Sequence, residues 1–555
     1  MKIKRIIEQD PLAPMTDLDK ALIWRFKHFI VSSAQSLPKF LQCHSWSDRH
    51  QVKEMHIMLA QWQPLRPAAA LELLDAKFAD EQIRSHAVQC LEGMGDNELA
   101  LLVLQLVQVR GAAATATTTS IPTTTTSTFF STSHLHSLSL VQVLKYEARH
   151  DSALARFLLR RALSCPHQVG HQFFWCLKAE MHLPEVSERF GLLLQEYLRC
   201  CGPHRDEIAL QHEVEQKLIS MAELVHTVKK DERVALLRQE LSKLTFPAKF
   251  QLALDPRFEC SGLKVEKCKC MDSKKVPLWL VFKNADPLGD SLVVIFKAGD
   301  DLRQDALTLQ IIRIMERKWE REGLDLKLSP YGCVSTGDET GFIEVVLNSN
   351  TTANITKKYS GGAGGAFSKE PMKLWLEEHN PGERALNEAV DTFCVSLAGY
   401  CVATYVMGIG DRHNDNVMLS EAGHLFHIDF GHFLGNFKSK FGFKRERAPF
   451  VFTPDFAYAL GDKGSEKFDK FVTVCSQAYN ILRGNAHEFI TLFSLMLSTG
   501  IPELQKAEDI NWLRECIKPE MTNEAAGEHF TKLIYTSLAT KTTQVNNAIH
   551  IVAHS

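Results

Sequence analysis

Apolar residues recur at steps of three and four through roughly the first 245 positions of the chain. The stretch from Ala21-Leu22-Ile23-Trp24-Arg25-Phe26 to Phe29-Ile30 shows the pattern, and Leu99–Val107 repeats it. Such spacing gathers the apolar side chains on one face of a helix. Gly, Pro and Asp clusters break the run at short intervals, which predicts consecutive helical hairpins stacked like an α-solenoid, without a repeat of fixed period. From about residue 260 the pattern changes. Pro277–Phe282 and Leu292–Lys297 read as strands, as does Gly341–Val346. A long amphipathic helix is expected between them, at 301–322, with Asp300 and Asp301 as candidate caps. After Phe367 the pattern is helical again, interrupted over Gly408–Gly435. The predicted fold class is α+β: an all-α helical-repeat domain at 1–248, a strand-rich lobe at 249–348 and a mainly helical lobe at 349–555.

One stretch departs from this order. Residues 111–138 consist largely of Thr, Ser and Ala, a composition that favours neither a packed core nor a regular helix. The words Leu106-Val107-Gln108-Val109 and Leu140-Val141-Gln142-Val143 flank it. A tolerated insertion or a gene-model artefact is the preferred reading, and a phosphorylatable regulatory loop is the alternative.

Composition narrows the function classes. Of 555 residues, 45% are hydrophobic and 23% charged, which excludes disordered and fibrous classes. A net charge of −3 gives no global reason to bind nucleic acid, so any anion site must be a local basic patch. Fourteen cysteines without regular spacing, behind an N-terminus with no secretory apolar core, read as reduced cytosolic thiols. The Cys268-x-Cys270 pair has no second pair or histidine cluster near it in sequence, and no metal site is expected there. The longest apolar runs, near Tyr400–Ile409 and Phe489–Leu497, are shorter than a bilayer span.

The chemistry concentrates in Gly410-Asp411-Arg412-His413-Asn414-Asp415-Asn416, followed by His427-Ile428-Asp429-Phe430-Gly431. Phosphoryl transfer needs a group to orient the attacking hydroxyl and oxygen ligands to hold Mg²⁺ on the phosphates. In the protein-kinase pattern HRDxxxxN…DFG the Asp and Asn stand five apart, and Asp411 and Asn416 keep that spacing, with Asp429 opening the DFG. Val417-Met418-Leu419 and Leu425–Ile428 form a hairpin around Glu421-Ala422-Gly423, folding Asp429 back beside Asn416.

The first triplet runs Asp-Arg-His, the reverse of the protein-kinase order. Here the sequence resembles the phosphoinositide 3-kinase superfamily, whose signature is GDRHxxN with a downstream DFG. The resemblance extends over nearly the whole chain. It is carried by Asp151–Leu159, Gly170-His171 before Phe173-Phe174-Trp175, Phe296–Asp305, Pro330–Cys333 and Ala398–Thr404. It is similar to a class I catalytic subunit, and the helical-domain words with Glu266–Met271 point to the gamma (class IB) type.

The resemblance implies a two-lobed, protein-kinase-like lipid kinase domain after the helical one, using ATP and Mg²⁺. The implied reaction carries the ATP γ-phosphate to the 3-hydroxyl of phosphatidylinositol 4,5-bisphosphate, making the trisphosphate in receptor signalling. In the implied site Lys297 holds the ATP phosphates, while Asp305 and Tyr331 line the inner pocket and help place that lysine. Ser273 and Lys274 cover the phosphates from a turn that replaces a Gly-rich loop. Met271 and Trp279 roof the adenine slot, and Glu344 and Val346 bond adenine through their backbones. Asn416 and Asp429 are the implied metal ligands. His413 is preferred over Asp411 as acid/base, with Asp411 orienting, although either carries suitable chemistry. After the DFG, residues 431–447 set Lys438, Lys440, Lys444, Arg445 and Arg447 against one acid, Glu446. They are expected to read the headgroup phosphates.

The expected setting is cytoplasmic with recruitment to the inner plasma membrane. A class IB regulatory subunit and G-protein βγ are candidate partners, and nucleic acid is not. The family carries a Ras-binding domain and a lipid-binding β-sandwich ahead of the helical domain. This sequence opens at the helical region, as a fragment, an incomplete gene model or a short isoform would, so Ras binding is not expected of it. Asn546-Asn547 stands where the family has Asn-Trp, which is expected to weaken bilayer contact. Two other readings remain: a Ser/Thr protein kinase of the same superfamily, against which the basic stretch argues, and an inactive helical scaffold, against which the intact set of Lys297, Asp411, His413, Asn416 and Asp429 argues.

Overall fold

In a computed structural model the described residues are 2–107, 144, 149–360, 368–436, 439–440, 443–444, 448–497 and 500–540. The Thr-rich stretch 111–138 and Asn547 lie outside them. The chain forms two compact units.

The first unit comprises Met1–Leu177, Leu183–Tyr197 and His487–Ile510. It is helical, as the three- and four-residue spacing predicts. Four of its helices begin where short polar side chains bind the first free amides. Thr16 and Asp19 close a reciprocal capping box, and Asp48, Asp80 and Ser152 each cap the helix that follows them. Inside, Phe40 is stacked between Trp24 and Trp62, at 5.6 and 4.5 Å between ring centroids.

This unit also holds a buried charge cluster. Glu72 is 1% exposed, and its two carboxylate oxygens meet Lys77 Nζ at 3.0 Å and His487 Nε2 at 2.8 Å. Lys39, 2% exposed, donates to the Asp10 carbonyl at 2.9 Å. Burial alone pushes the Glu72 carboxyl up, but the hydrogen bond from His487 and the charge of Lys77 outweigh it and hold the group at about 2.

The second unit comprises Lys178–His182, Leu198–Ala486 and Asn511–Ser555. Its longest continuous stretch opens at Leu198. Periodicity shows that the segment His204–His226 is a helix but not which core it joins. It packs on strands β1 (Phe250–Leu252) and β5 (Leu292–Ala298).

The sheet also contains β2 (Asp255–Leu263), β3 (Lys269–Cys270), β4 (Leu278–Asn284), β6 (Cys333–Gly337) and β7 (Thr340–Glu344). Its order is β1-β2-β4-β5-β7-β6, antiparallel throughout, with β3 paired to β4. A second sheet joins β8 (Ser349–Thr351), β9 (Val417–Ser420) and β10 (Leu425–His427). The β9–β10 hairpin is the one expected between Asn416 and Asp429. The long helix runs Arg303–Arg321 but is not capped by Asp300, whose carboxylate is taken by Lys297. Asp301 accepts the Arg303 N–H at 3.0 Å instead.

The helix Glu383–Val406 is the one described helix long and apolar enough to cross a membrane, and its apolar stretch is 83% buried in the protein core. It closes in a Schellman turn. The Ile409 N–H bonds to the Thr404 carbonyl at 3.0 Å, the Gly408 N–H bonds to the Tyr405 carbonyl at 3.2 Å, and Gly408 takes φ +57°. That turn delivers the chain into Gly410–Asn416.

Candidate active site

The loop after the Schellman turn is built on its own polar atoms. Asn416, 4% exposed, accepts the His413 N–H at 2.9 Å through Oδ1 and donates from Nδ2 to the Asp411 carbonyl at 2.6 Å. His413 Nδ1 lies 3.3 Å from the Asp415 N–H. Asp411 and Asp429 both adopt left-handed backbone, at φ +56° and +59°. Asp tolerates that region better than most residues, and its presence at two acids of one site is the kind of strain that functional loops hold.

Two segments cross here. The Ile428 N–H bonds the Asn416 carbonyl at 3.0 Å, and the Gly410 N–H bonds the His432 carbonyl at 2.9 Å. Arg412 fastens the crossing. Its Nε donates to the Gly410 carbonyl at 2.8 Å, and its terminal nitrogens to the carbonyls of Ile428, at 2.7 Å, and Asp429. The same guanidinium lies over the Phe430 ring at 5.7 Å.

Across the cleft in this unit stands Lys297, late on β5. Its direct partner is Asp300, with Nζ–Oδ2 at 2.7 Å, while Asp305 acts on it through charge. Burial works to lower the pKa of Lys297. The Asp300 hydrogen bond and the carboxylates of Asp300, Asp305 and Asp429 overcome it, so the ammonium is held charged above its ordinary value. Asp305 instead accepts the Phe430 N–H at 2.9 Å, while the neighbouring Gln304 donates to the Phe430 carbonyl at 2.8 Å. The Arg303–Arg321 helix therefore grips the Asp429-Phe430-Gly431 backbone by both its donor and its acceptor. Tyr331 is buried, 6.5 Å from Phe426 between ring centroids, and burial raises its hydroxyl well above the usual range.

Asp305 is partly buried, and desolvation lifts its carboxyl to about 6, against the lowering pull of the Phe430 N–H and Lys297. A carboxyl raised on folding contributes stability that is complete below its unfolded pKa and lost as pH rises through its folded one. At pH 8 the ionised group is thus a cost. Asp305→Asn keeps an oxygen for the Phe430 N–H. It is expected to raise the melting temperature over the parent at about pH 8, with the gain bounded near 3 kcal/mol and vanishing toward about pH 4. A difference between the two proteins that stays flat with pH would contradict this.

The remaining expected residues fall as follows. Met271 starts a tight turn, its N–H bonded to the Pro277 carbonyl at 2.8 Å and its carbonyl to the Ser273 N–H at 3.0 Å. Ser273 and Lys274 lie exposed at the tip. Trp279, on β4, sits opposite Ile295 with Lys269 Nζ 4.8 Å from its ring. Glu344 closes β7, so the strand expected to reach Val346 ends two residues earlier. Its carboxylate accepts the Gly332 N–H at 2.7 Å, and the Val346 carbonyl accepts from Ser349 Oγ at 2.7 Å. Lys440 and Lys444 lie on a short backbone pairing, Ser439–Lys440 with Phe443–Lys444. The side chains of these two, and all of Lys438, Arg445 and Arg447, lie outside the described residues.

Sequence reasoning passed over Asp300, Gln304 and the fastening role of Arg412. Arg412 was visible inside the motif, and Asp300 stands three residues past the lysine. Gln304 lay inside the word Phe296–Asp305, with no role attached to it.

Comparison with known proteins adds independent findings. Residues 291–506 match the family described as phosphatidylinositol 3- and 4-kinase. Residues 1–110 and 132–209 match the accessory (PIK) domain of the phosphoinositide 3-kinase family, with a break over part of the Thr-rich stretch. The chain is 50% identical over 552 residues to phosphatidylinositol 3-kinase 1 of Dictyostelium discoideum, covering all of this chain and 33% of that protein. It is 49% identical over 554 residues to phosphatidylinositol 3-kinase 2 of the same organism, covering 28% of it, and 44% identical to phosphatidylinositol 3-kinase 3, covering 31%. The chain thus spans about a third of the length of the curated relatives it matches.

Proposed function

Because this chain belongs to the phosphoinositide 3-kinase family, we propose that it transfers the ATP γ-phosphate to the 3-hydroxyl of phosphatidylinositol 4,5-bisphosphate, making the 3,4,5-trisphosphate. The observation that carries the reading is the hydrogen-bonded crossing of the Gly410–Asn416 loop with Ile428–His432, facing a lysine kept charged by three carboxylates.

In this reading Lys297 binds the phosphates as a point charge and the Ser273–Lys274 turn covers them. Met271, Trp279 and the backbone at Glu344 and Val346 take the adenine. Asn416 Oδ1 and the Asp429 carboxylate suit Mg²⁺. Both are hard oxygen donors, and water and phosphate oxygens would complete the shell of such an ion. Held by Asn416 and Asp429, Mg²⁺ would supply positive charge to offset that of the phosphates. His413 receives the proton of the attacking 3-hydroxyl on an imidazole nitrogen, and Asp411 orients that hydroxyl.

The finer assignments in the proposal are a class IB-like role in receptor signalling, from the cytoplasm to the inner plasma membrane, with a regulatory subunit and G-protein βγ as partners. They are supported by the words Asp151–Leu159 and Glu266–Met271 and by the basic composition of 438–447.

A lipid-kinase assay that resolves the phosphorylated ring position tests the reaction. Headgroup reading is tested by neutralising Lys444 and Arg445 together. Activity on the bisphosphate is expected to fall about tenfold to a hundredfold more than on unphosphorylated phosphatidylinositol, as charge-assisted hydrogen bonds are lost. Equal losses on both lipids would make the stretch a general membrane contact.

A further inference from the structure

The catalytic loop and the segment after Asp429-Phe430-Gly431 run side by side beyond the crossing already described. The Leu434 N–H bonds the Met407 carbonyl at 2.7 Å, and the Gly435 N–H bonds the Gly408 carbonyl at 3.1 Å. Leu434, Gly435 and Gly408 all have positive φ, at +52°, +77° and +57°. A ladder between two such turns has few ways to hold itself rigid, because neither strand of it is regular.

An indole from a distant part of the unit covers it. Trp512, on the helix Asn511–Ile517, lies against both glycines. A Cβ on Gly408 would fall 2.5 Å from Trp512 Nε1, and a Cβ on Gly435 would overlap the six-membered edge of the same ring. The ring thus occupies the space that any side chain at either position would need. Its Nε1–H donates to the Tyr405 carbonyl at 3.2 Å, the carbonyl that also receives the Gly408 N–H in the Schellman turn. One side chain therefore braces the end of the Glu383–Val406 helix, the turn that launches Asp411 and the return of the chain after Asp429.

We propose that Trp512 is a positioning residue for phosphoryl transfer. It acts as a wedge that sets the Asp411 loop against the Asp429 segment, without touching nucleotide or lipid. The inference rests on the phosphotransfer reading given above. Misplacement of about 1 Å at a reacting group costs up to about a hundredfold in rate, whereas in the proposed site nucleotide is held by Lys297 and the strands, and Trp512 lies against Gly408, Gly435 and Tyr405.

Trp512→Ala is expected to lower kcat about tenfold or more with KM for ATP within about twofold of the parent. Amide hydrogen exchange should accelerate at Gly410 and Leu434, whose N–H groups bridge the two segments. Trp512→Phe keeps an aromatic plate over both glycines and loses the bond to Tyr405, so it should recover most of kcat. If the alanine variant does not fold, Trp512→Leu, which keeps apolar bulk without the flat plate, takes its place. A folded variant with kcat within about twofold of the parent and unchanged exchange overturns the proposal. So does exchange that rises equally along the helices Glu383–Val406 and Glu466–Gly484, since that marks general loosening. If the parent transfers no phosphate to any phosphoinositide, the proposed function fails, and local exchange alone then decides whether Trp512 positions the loops.

Discussion

Asp429→Asn is expected to cut lipid phosphorylation by at least about a hundredfold while the protein stays folded. The substitution is nearly isosteric, and Asn tolerates the left-handed backbone that Asp429 adopts at φ +59°. The Arg412 bond to the residue 429 carbonyl is a backbone contact and survives. What is lost is the one full negative charge among the two proposed oxygen ligands, and Asn416 is already neutral. Lys297→Met is the matching loss on the phosphate side. It also leaves Asp300 without its 2.7 Å partner and removes the cation that lowers the Asp305 carboxyl, so Asp305 should sit even higher than about 6. Turnover measured beside a melting curve checks both variants, and near-normal activity in either folded protein would remove its residue from the site.

Glu72→Ala is expected to cost the helical unit about 3–5 kcal/mol, the usual penalty for breaking a buried ion pair from one side. The carboxylate serves His487 and Lys77 directly, and its charge also offsets that of buried Lys39. Without it Lys39 keeps the Asp10 carbonyl at 2.9 Å and the weaker pull of the Asp10 charge. His487→Ala, at a side chain 45% exposed, should cost much less. Since the Glu72 carboxyl is depressed on folding, its contribution is present above about pH 4.5 and disappears as pH falls toward about 2. Chemical unfolding of the two variants separates them, and a Glu72→Ala loss below about 1 kcal/mol would show that the cluster is not stabilising.

The fold was legible where one periodicity had one meaning. Short, β-branched and aromatic apolar runs at Pro277–Phe282 and Leu292–Lys297 marked strands, and the amphipathic pattern at 301–322 marked the Arg303–Arg321 helix almost to the residue. Tertiary partnership was not legible. The helices His204–His226 and Ala486–Met496 are both amphipathic or apolar, and nothing local states that the first joins the sheet while all but the first residue of the second joins the helical unit. At the site, spacing brought Asp411, Asn416 and Asp429 together, because a motif is a short stretch of chain around one hairpin. The pairing of Lys297 with Asp300 depends on where a strand end meets a helix start, and Arg412 serves four carbonyls, of which those of Ile428 and Asp429 reach it only after the loops have crossed. Charge counts cannot foresee a bond to a backbone oxygen.

Membership of His487–Ile510 in the helical unit has a consequence for biosynthesis. That segment follows Tyr197, the previous stretch of the same unit, by roughly 290 residues. A ribosome adding about 5–20 residues per second needs about 15–60 s to make the intervening chain. Throughout that interval the nascent helical unit lacks the helix that supplies Phe489, Ile490, Leu492 and Leu495, all essentially buried in the finished protein, and Glu72 waits for His487. The early helices must therefore persist with an open apolar seam while the sheet is being made. Chaperone occupancy on ribosome-bound chains stalled between about residues 250 and 480 should be high, and it should drop once residue 510 has cleared the exit tunnel.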